Sequence, residues 1–359
     1  MPLLDSLPSM RRVFITILAF VLALYRGALA AATKAQDISV AGSNPPIDAC
    51  NGYVGYCNRT INQVLWIGAH NALTDVGFAL QRNQYVSGVD LLEAGIRYFD
   101  VDTCAFTRDG KRTVPMVCHG QEWYIAQVYQ PTIAALAPIK AWLDAHPREV
   151  VVLNFGDISD FTALDSQGLA TSTLRLRLEL VQVVRGVFGS MAVLRGDDPW
   201  DAAINANKAT LNALITANRR VVVNIGNDHS DNAAYWGMDD RVCRHAWYQD
   251  SLHLTADRLS YDWTPVLREI EQEQRQPCAS HPLLFNKLEF AFVNDLSGIV
   301  DGASVGSTLA AYMQRLVERN RGVAAPFFPF NLVLTDHSDK WTALHRSWHH
   351  LQLDNLAAA

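Results

Sequence analysis

The chain has 359 residues, of which 49% are hydrophobic and 18% are charged, and its formal net charge is −6. This composition provides enough apolar surface for a large buried core. The sequence has no basic run, and because nucleic-acid binding needs clustered Lys and Arg to neutralise the phosphates, nucleic acid is excluded as the main partner.

The first thirty residues are typical of a secretory signal peptide. Arg11 and Arg12 precede an apolar stretch, Val13–Tyr25, and Ala28-Leu29-Ala30 fits the small-x-small pattern of a cleavage site. The apolar stretch is shorter than the ~20 residues that span a bilayer. We therefore predict that residues 1–30 are removed after Ala30 and that the protein is secreted. The alternative is a signal anchor that is not cleaved.

Six cysteines follow this segment, and an even number behind a signal peptide favours disulfides. Among the possible pairings we predict those between sequence neighbours: Cys50–Cys57, Cys104–Cys118 and Cys243–Cys278. The second would close a hairpin over the turn Asp109-Gly110, while the alternative is that some cysteines are free buried thiols. No Cys or His spacing indicates structural zinc. Asn58-Arg59-Thr60 is a sequon, so Asn58 is a candidate for glycosylation.

Residues 31–50 are rich in Ala, Ser, Asn and Pro and are interpreted as a leader or loop, which leaves residues 51–359 for the fold. There, short apolar runs alternate with longer amphipathic stretches. The predicted strands are Gln63–His70, Ile96–Thr103, Pro115–His119, Glu149–Asp157, Arg219–Asp228, Leu283–Val293 and Phe330–His337, with Ser190–Arg195 as a doubtful eighth. The predicted helices cover residues 87–95, 131–146, 169–188, 205–218, 305–320 and 340–353.

This alternation predicts the fold class. Val- and Ile-rich runs bounded by Gly, Pro or Asp are typical of buried parallel strands. Strands that alternate with helices indicate right-handed βαβ units. A chain of this length would form two domains at about 150 residues each, but an α/β barrel of about 250 residues or more is one unit. With no internal repeat and no linker, the sequence predicts a single α/β domain, a TIM (β/α)8 barrel rather than an open sheet.

Polar side chains end nearly every predicted strand. The ends are His70-Asn71, Asp100-Val101-Asp102, His119, Asp157, Asn227-Asp228-His229 and Asp336-His337. Barrel enzymes carry their catalytic residues at the carboxyl ends of the strands. An inert barrel has little use for ionisable residues at these positions, so the pattern favours an enzyme.

Asp100 and Asp102 are two residues apart, so on a strand their side chains share one face. Two neighbouring carboxylates repel each other unless a cation or a proton lies between them. With Asn71 they form an all-oxygen donor set, which suits Ca2+ or Mg2+. The alternative is one strand-end aspartate in a turn and one that is paired with Arg97 or Arg108.

His70 and His119 end two different predicted strands. A lone histidine is more often structural, but two histidines across one pocket can act as base and acid in phosphoryl transfer. Such a reaction also needs compensation for the charge on the phosphate oxygens, which a cation supplies. Trp123 and Tyr124 could contact a headgroup or pack in the core, and Trp348-His349-His350 is interpreted as helix packing.

Three segments resemble one family. Ile67-Gly68-Ala69-His70-Asn71-Ala72, Leu92–Asp102 and Val117-Cys118-His119-Gly120 resemble the phosphatidylinositol-specific phospholipase C X region and, more broadly, the PLC-like phosphodiesterase superfamily. Ile139–Asn154 looks like the helix and strand that follow in secreted fungal-type members, and Phe330–His337 resembles the last barrel strand. The resemblance covers about residues 57–345 and implies a distorted TIM barrel.

The resemblance also implies roles for the strand-end residues. His70 would be the general base or would stabilise the phosphorane, His119 would be the general acid, and Asp336 would hold the tautomer of His70. Acidic residues at both 100 and 102, with Asn71 after the first histidine, follow the metal-dependent subtype, although Asp100 stands where Glu is usual. Asp157 is the nearest candidate for the fourth ligand, a position that is Glu in that subtype.

The predicted function is a secreted phosphoric diester hydrolase that uses one divalent cation. Its substrate would be a phospholipid or a glycerophosphodiester, with a membrane surface as one place of action. Glycerophosphodiesterase-like or sphingomyelinase D-like specificity stays open. No obligate protein partner is predicted. The alternative is a catalytically inactive secreted barrel that binds a lipid headgroup or a glycan. It is considered because Asp157 stands where the metal-dependent subtype has a glutamate as its fourth ligand.

Overall fold

A computed structural model of the protein describes residues 48–76, 83–119, 127–225, 331–336 and 338–358, together with the strands at 242–250 and 285–293. All of these residues belong to one compact unit that spans residues 45–359. Predictions that lie outside the described residues are the signal peptide, the leader up to residue 47, the helix at 305–320, Trp123, Tyr124, the turn at 227–229, Cys278 and His337.

The strands in chain order are β1 (Trp66–Ala69), β2 (Tyr98–Asp100), β3 (Thr103–Ala105), β4 (Thr107–Arg108), β5 (Lys111–Arg112), β6 (Met116–His119), β7 (Gln127–Pro131), β8 (Val151–Phe155), β9 (Ile158–Leu164), β10 (Ala170–Thr171), β11 (Ala192–Val193), β12 (Val221–Ile225), β13 (Val242–Asp250), β14 (Phe285–Val293) and β15 (Leu332–Thr335). The α-helices are α1 (Gly88–Glu93), α2 (Thr132–Ala145), α3 (Leu174–Phe188), α4 (Trp200–Asn205), α5 (Leu211–Thr216) and α6 (Thr342–Ala358). Short 3-10 helices cover Val54–Tyr56, Ile61–Gln63, Gly189–Met191 and Ser338–Trp341.

The main sheet contains eight of the described strands in the order β11-β12-β8-β2-β1-β15-β14-β13, and every neighbouring pair is parallel. The α/β class and the parallel sheet therefore agree with the sequence. Between the described strands no pairing joins β11 to β13, so closure of the sheet into a barrel stays a prediction. The eighth candidate strand, at 190–195, is confirmed as β11, which pairs with β12.

Strands β1, β2, β8, β11, β12 and β15 of the main sheet are buried along their length, with β-branched, leucine and aromatic side chains. All five residues of β8 and of β12 are buried, as are all four of β1 and β15. β1 packs closely on its neighbours, since a Cβ atom at Gly68 would lie 2.7 Å from the Leu334 side chain. Helix α3 covers the sheet with a stripe of Leu176, Leu180 and Val184, at the four-residue spacing of one helix face.

Helix starts follow from local capping chemistry. Ser87 caps α1 in a capping box with Asp90, and the hydroxyls of Thr173 and Thr210 accept from the backbone N–H groups of Leu176 and Ala213. Of the helix predicted over 205–218, residues 211–216 are confirmed as α5, whereas residue 205 is the end of α4. Asn207 has a φ of 52°, and Thr210 starts a new helix, so α4 and α5 are separate.

A second sheet carries one of the predicted site strands. Its order is β10-β9-β3-β6-β7, and β6 pairs antiparallel with both β3 and β7. The prediction of a parallel strand at 115–119 is therefore wrong. Only residues 106–115 separate β3 from β6, which is too short for the crossover of a dozen or more residues that parallel pairing needs.

Two of the three predicted disulfides are confirmed, Cys50–Cys57 and Cys104–Cys118. The hairpin inside the second is also confirmed, because β4 and β5 pair antiparallel across Asp109 and Gly110. Both turn residues have positive φ, at 50° and 71°, as a two-residue type I′ turn requires. Among the described residues, no helix is long and apolar enough to cross a membrane.

Candidate active site

His70 and Asp336 form the first contact of the candidate site. β1 and β15 are parallel neighbours with Ala69 opposite Thr335, so the next residue on each strand lies at the same edge. His70 Nδ1 is 2.8 Å from Asp336 Oδ1. The Asp336 carboxylate is fully buried, whereas 15% of the His70 side chain is exposed. This geometry fits a carboxylate that orients an imidazole.

Gln84 fixes the two strand ends that carry this pair. Its side-chain amide donates to the carbonyl oxygens of His70 and Thr335, at 2.9 and 3.0 Å, and its oxygen accepts from the backbone N–H of Ser338 at 3.0 Å. Gln84 is completely buried. A buried amide with three backbone partners leaves the strand ends little freedom to separate.

The turn after β1 brings Asn71 to a second histidine. Asn71 has a φ of 45°, and the next backbone N–H, that of Ala72, donates to the carbonyl of Asp100 at 2.6 Å. The Asn71 side-chain nitrogen donates to Asn83 at 2.8 Å and lies 3.0 Å from His119 Nδ1. Asn71 is buried and connects the end of β1 to the end of β6.

His119 also contacts a carboxylate. Its Nδ1 is 3.2 Å from Asp102 Oδ2, and the backbone N–H of Cys118 donates to the carbonyl of Asp102 at 3.0 Å. About a third of the His119 side chain is exposed, compared with a tenth of that of Asp102. The site therefore contains two imidazole–carboxylate pairs, linked by Asn71.

Asp100 belongs to a row of polar side chains that crosses three neighbouring strands. Asp100 of β2 is in register with Asn154 of β8, which is in register with Asn224 of β12. Asn154 donates to the Asp100 carboxylate, and Asn224 donates to the Asn154 oxygen. All three are buried, and Asn224 Oδ1 has no hydrogen-bond partner among the described residues.

Asp157 lies near Asp102 but is less enclosed than the other predicted ligands. The residue is exposed, and its carbonyl accepts from the backbone N–H of Thr103 at 2.9 Å. Burial raises the pKa of Asp102, and the negative charge of Asp157 raises it further. The hydrogen bond and the charge of His119, with the charge of His70, oppose this increase. Asp102 is thus a carboxylate whose ionised form a nearby cation would stabilise.

The oxygen donors fit a hard divalent cation by their chemistry. Asp100, Asp102 and Asn71 are buried carboxylates and an amide at adjoining strand ends, the groups that Ca2+ and Mg2+ prefer. A Cβ atom at Gly156 would lie 3.4 Å from Asp100 Oδ1, so the glycine leaves space beside this carboxylate. Within the described part of the chain, no three His, Cys, Asp or Glu residues are grouped as a metal site. Any ion here would thus need further oxygen ligands.

Arg97, one of the two partners considered for the acidic pair, is engaged elsewhere. Its Nε donates to Glu149 at 2.8 Å, and its guanidinium lies 4.9 Å from the centre of the Trp142 ring. Its Nη1 donates to the carbonyls of Leu92 and Ile96. These contacts account for Arg97 as a structural residue.

Several site residues were missed from the sequence. Asn154 lies three residues before the end of the predicted strand Glu149–Asp157, and Asp157 was chosen in its place. Asn224 lies inside an apolar run, where a single buried amide between valines and isoleucine is a detectable signal for an inward-facing polar contact. Gln84 and Asn83 are in a loop, and no sequence pattern marks them.

The sequence of this chain was compared with those of known proteins. The sequence model of the PI-PLC X family (PI-PLC X 1) matches residues 56–181. A PI-PLC X domain-containing protein 1 from Arthroderma benhamiae is 30% identical over 194 residues, which are 53% of this chain and 55% of that protein. The matched region therefore spans about half the length of this curated relative.

Solved structures of similar shape are phospholipases. That of phosphatidylinositol-specific phospholipase C from Listeria monocytogenes is 12% identical, with a TM-score of 0.49, over 83% of this chain and 95% of that one. That of a Ca2+-dependent enzyme from Streptomyces antibioticus is 14% identical, with a TM-score of 0.39, over 81% and 98%.

The family match covers the residues that carry the geometry described above. Residues 56–181 include His70, Asn71, Asp100, Asp102 and His119, and Asp336 lies beyond them. The resemblance drawn from the three sequence motifs is thereby confirmed. Over residues 56–181 this chain is similar to the PI-PLC X family.

Proposed function

We propose that the protein is a secreted phosphoric diester hydrolase that cleaves the P–O bond of a phospholipid or a glycerophosphodiester by acid–base catalysis with two histidines. The observation that carries the proposal is the pair of imidazole–carboxylate contacts, His70–Asp336 and His119–Asp102, joined by Asn71. Each contact uses Nδ1 of the imidazole. Nε2 of each ring is then the atom that exchanges a proton with the substrate.

His70 would act as the base. With its Nδ1–H donated to Asp336, the ring has its basic lone pair on Nε2 and removes the proton from the attacking hydroxyl. If that hydroxyl belongs to the substrate and neighbours the phosphate, the product is a cyclic phosphate; if it belongs to water, the product is a phosphate monoester. The buried Asp336 carboxylate stabilises the imidazolium that forms.

His119 would act as the acid. As the bond between phosphorus and the leaving oxygen breaks, protonated His119 gives its Nε2 proton to that oxygen, and the leaving group departs as an alcohol. Asp102 orients the ring through its contact with Nδ1, which leaves Nε2 for the leaving group. The greater exposure of His119 fits a group that must reach a leaving alcohol.

A divalent cation, Ca2+ or Mg2+, completes the proposal. Asn71, Asp100 and Asp102 would hold it, with Asp157 as the nearest further carboxylate. When bound, such an ion supplies charge compensation for the phosphate oxygens in the transition state. Asn154, through its hydrogen bond, holds the orientation of Asp100.

The test is an assay of the purified protein on phosphatidylinositol, lysophospholipid and glycerophosphodiester substrates with Ca2+, Mg2+ or EDTA. We expect activity that His70→Ala and His119→Ala each reduce by about a hundredfold or more, the typical contribution of a general acid or base. His350→Ala, at an exposed position on α6, is the matched control and should leave activity unchanged.

Two results would contradict the proposal. Turnover that survives His119→Ala unchanged would remove the acid–base assignment, and activity that EDTA does not affect would remove the cation. If no substrate is cleaved but a headgroup or a glycan binds, the protein is the inactive barrel instead.

A further inference from the structure

His119 ends a strand of the second sheet, whereas His70, Asp100 and Asp336 lie at the ends of main-sheet strands. β1, β2 and β15 belong to the main sheet, whereas β6 belongs to the second sheet. β6 is paired with β3 at two positions, Val117 with Thr103 and Met116 with Cys104, and one further backbone bond runs from Cys118 to Asp102. On its other side, the pairing of β6 with β7 shifts register between Val117 and Cys118, directly before the histidine. The strand pairing that places His119 beside Asp102 is thus short.

A disulfide reinforces this short pairing directly beside His119 and Asp102. Cys118 is adjacent to His119, and Cys104 is two residues after Asp102. Both cysteines are almost fully buried, at 2% and 0% exposure. The bond therefore connects the two chain segments that carry the contact between His119 Nδ1 and Asp102 Oδ2.

We propose that the Cys104–Cys118 disulfide is a positioning element for His119. It holds the imidazole in reach of Asp102 and of the leaving oxygen, so that proton donation depends on this bond. The inference rests on the proposed function of His119 as the general acid. Its physical basis is that a misplacement of about 1 Å at a reacting group can reduce the rate by about a hundredfold.

The second disulfide provides a matched control. Cys50–Cys57 lies against the guanidinium of Arg148, with Nη2–Sγ distances of 3.0 and 3.4 Å. Next to it, Asn51 exchanges hydrogen bonds with Val150, the residue before β8 begins. This disulfide is therefore near the amino end of the strand whose carboxyl half carries Asn154.

The experiment compares Cys104→Ala/Cys118→Ala with Cys50→Ala/Cys57→Ala on two substrates. One is the lipid diester with an alcohol leaving group, and the other is the same headgroup phosphate esterified to 4-nitrophenol. An alcohol needs a proton from the acid as it leaves, whereas 4-nitrophenolate leaves without one. We expect Cys104→Ala/Cys118→Ala to reduce kcat on the lipid by about ten- to a hundredfold with little change in KM, and to affect the aryl ester much less. The control should retain both activities.

A double-mutant cycle separates positioning from general stability. If the disulfide acts through His119, then Cys104→Ala/Cys118→Ala added to His119→Ala causes little further loss on the lipid. Independent, multiplicative losses would overturn the inference, as would an equal fall on both substrates. If the alanine variant does not fold, Cys104→Val/Cys118→Ala, which fills more of the buried space, replaces it.

The position of His119 can also be measured without substrate, which tests the role of the disulfide separately from the proposed function. The 15N shift of His119 Nδ1 responds to its hydrogen bond and is observable by NMR in the folded protein. We expect it to change in Cys104→Ala/Cys118→Ala and to stay constant in Cys50→Ala/Cys57→Ala. An unchanged shift would refute the positioning role. If the shift changes in Cys104→Ala/Cys118→Ala but the native protein cleaves neither substrate, the proposed function is refuted and the positioning role stands.

Discussion

At the scale of single residues, Asp336 is decisive for the proposed base. Its buried carboxylate faces Nδ1 of His70 at 2.8 Å and thereby selects which ring nitrogen carries the proton. An amide at the same position can present a donor to Nδ1 and favour the opposite tautomer, whose Nε2 no longer accepts a proton. One atom change at residue 336 therefore tests the orientation of residue 70.

We expect Asp336→Asn to reduce kcat by about a hundredfold or more, because the ring loses its basic Nε2 tautomer. The steady-state rate on the preferred substrate measures this, with the fold checked by circular dichroism. Asp354→Asn, at an exposed position on α6, is the control with the same chemical change. Full activity of Asp336→Asn would show that the contact is structural.

Asp102 allows a test of the cation that does not need turnover. Burial, followed by the charge of Asp157, raises the pKa of Asp102 in the fold, so its ionised form lowers the free energy of unfolding at neutral pH. Protonated Asp102 stabilises the fold at pH values below the ordinary pKa of aspartate. This stability is lost as the pH rises through the higher pKa that Asp102 has in the folded protein. Without a cation, Asp102→Asn should therefore be at least as stable as the native protein at pH 7.

A bound cation should make the native protein more stable than Asp102→Asn. Ca2+ at about a hundred times its dissociation constant stabilises a protein by about 3 kcal/mol, so the Tm of the native protein should increase. We expect no such increase for Asp102→Asn, measured by differential scanning calorimetry with and without EDTA. An equal increase in both proteins would place the cation elsewhere.

At the scale of elements, helix α6 carries two buried histidines that make stability depend on pH. Burial lowers the pKa of His345 to about 3, and both of its ring nitrogens lack hydrogen-bond partners among the described residues. Burial, with repulsion from neighbouring cationic groups, also lowers the pKa of His349 to about 3, and its Nδ1 is 3.0 Å from the Tyr56 hydroxyl. The predicted packing role of Trp348-His349-His350 agrees with the burial of Trp348 and His349.

We expect His345→Leu to make the protein less sensitive to acid. The folded state excludes a proton that the unfolded chain binds below about pH 6.5, so stability decreases as the pH falls from 6.5 towards 3, by up to about 1.4 kcal/mol per pH unit for each such histidine. Urea unfolding at several pH values should show a smaller slope for His345→Leu, with no loss at pH 7. His350→Leu, at an exposed position, should keep the native slope; an equal slope in all three proteins would contradict the assignment.

The β4–β5 hairpin is attached to the second sheet by one arginine. Arg112 donates to Asp160 and Thr162, both at 2.6 Å, and pairs with Glu179 of α3 at 3.2 Å. Burial acts to raise the pKa of Asp160, but hydrogen bonds from Arg112, Thr162 and Thr173 outweigh it and lower this pKa to about 2. The hairpin, β9 and α3 are thus held together by one buried carboxylate and its donors.

We expect Arg112→Met to reduce the free energy of unfolding by about 3–5 kcal/mol at pH 7, because it leaves a buried carboxylate without its cation. The stability that ionised Asp160 provides is present above its ordinary pKa and is lost as the pH falls from about 4 towards 2, so the difference between the two proteins should shrink in that range. Arg175→Met is the control, since Arg175 pairs with the same Glu179 but is 69% exposed. Equal losses for both variants would contradict this account.

Some strands could be predicted from sequence patterns alone and others could not. Continuous runs of Val, Ile and Leu predicted β8 and β12, because a strand buried on both faces needs apolar residues throughout. β13 was missed because Val242–Asp250 mixes charged, polar and aromatic residues without a continuous apolar run. The second sheet was missed because antiparallel pairing of β6 depends on a reversal of the chain, which an apolar run does not encode.

At the scale of the whole molecule, the two disulfides of the structure support the predicted secretion. Disulfides form and persist in oxidising compartments. We expect the protein from a secretory eukaryotic host to begin at residue 31, directly after Ala30, and to contain a third disulfide, Cys243–Cys278. N-terminal sequencing and peptide mapping under non-reducing conditions test both, and the same maps show whether Asn58 carries a glycan. A chain that retains residues 1–30 would instead be the membrane anchor.

The sequence by itself determined the features that depend on neighbours along the chain. These are the α/β alternation, the disulfides that span 7 and 14 residues, the hairpin turn at Asp109-Gly110, and the histidines and aspartates that end strands. Each is fixed by local backbone preference or by short loop closure, which residue types report directly. The family match follows from the same local motifs.

Only the tertiary structure decided which of these residues meet. The row from Asp100 through Asn154 to Asn224 depends on strand order and register, as does the attachment of Gln84 to both strand ends. His70 and Asp336 are 266 residues apart and touch because β1 and β15 are neighbours. Strand order is set by how the whole sheet buries its apolar surface, and no single segment carries that information.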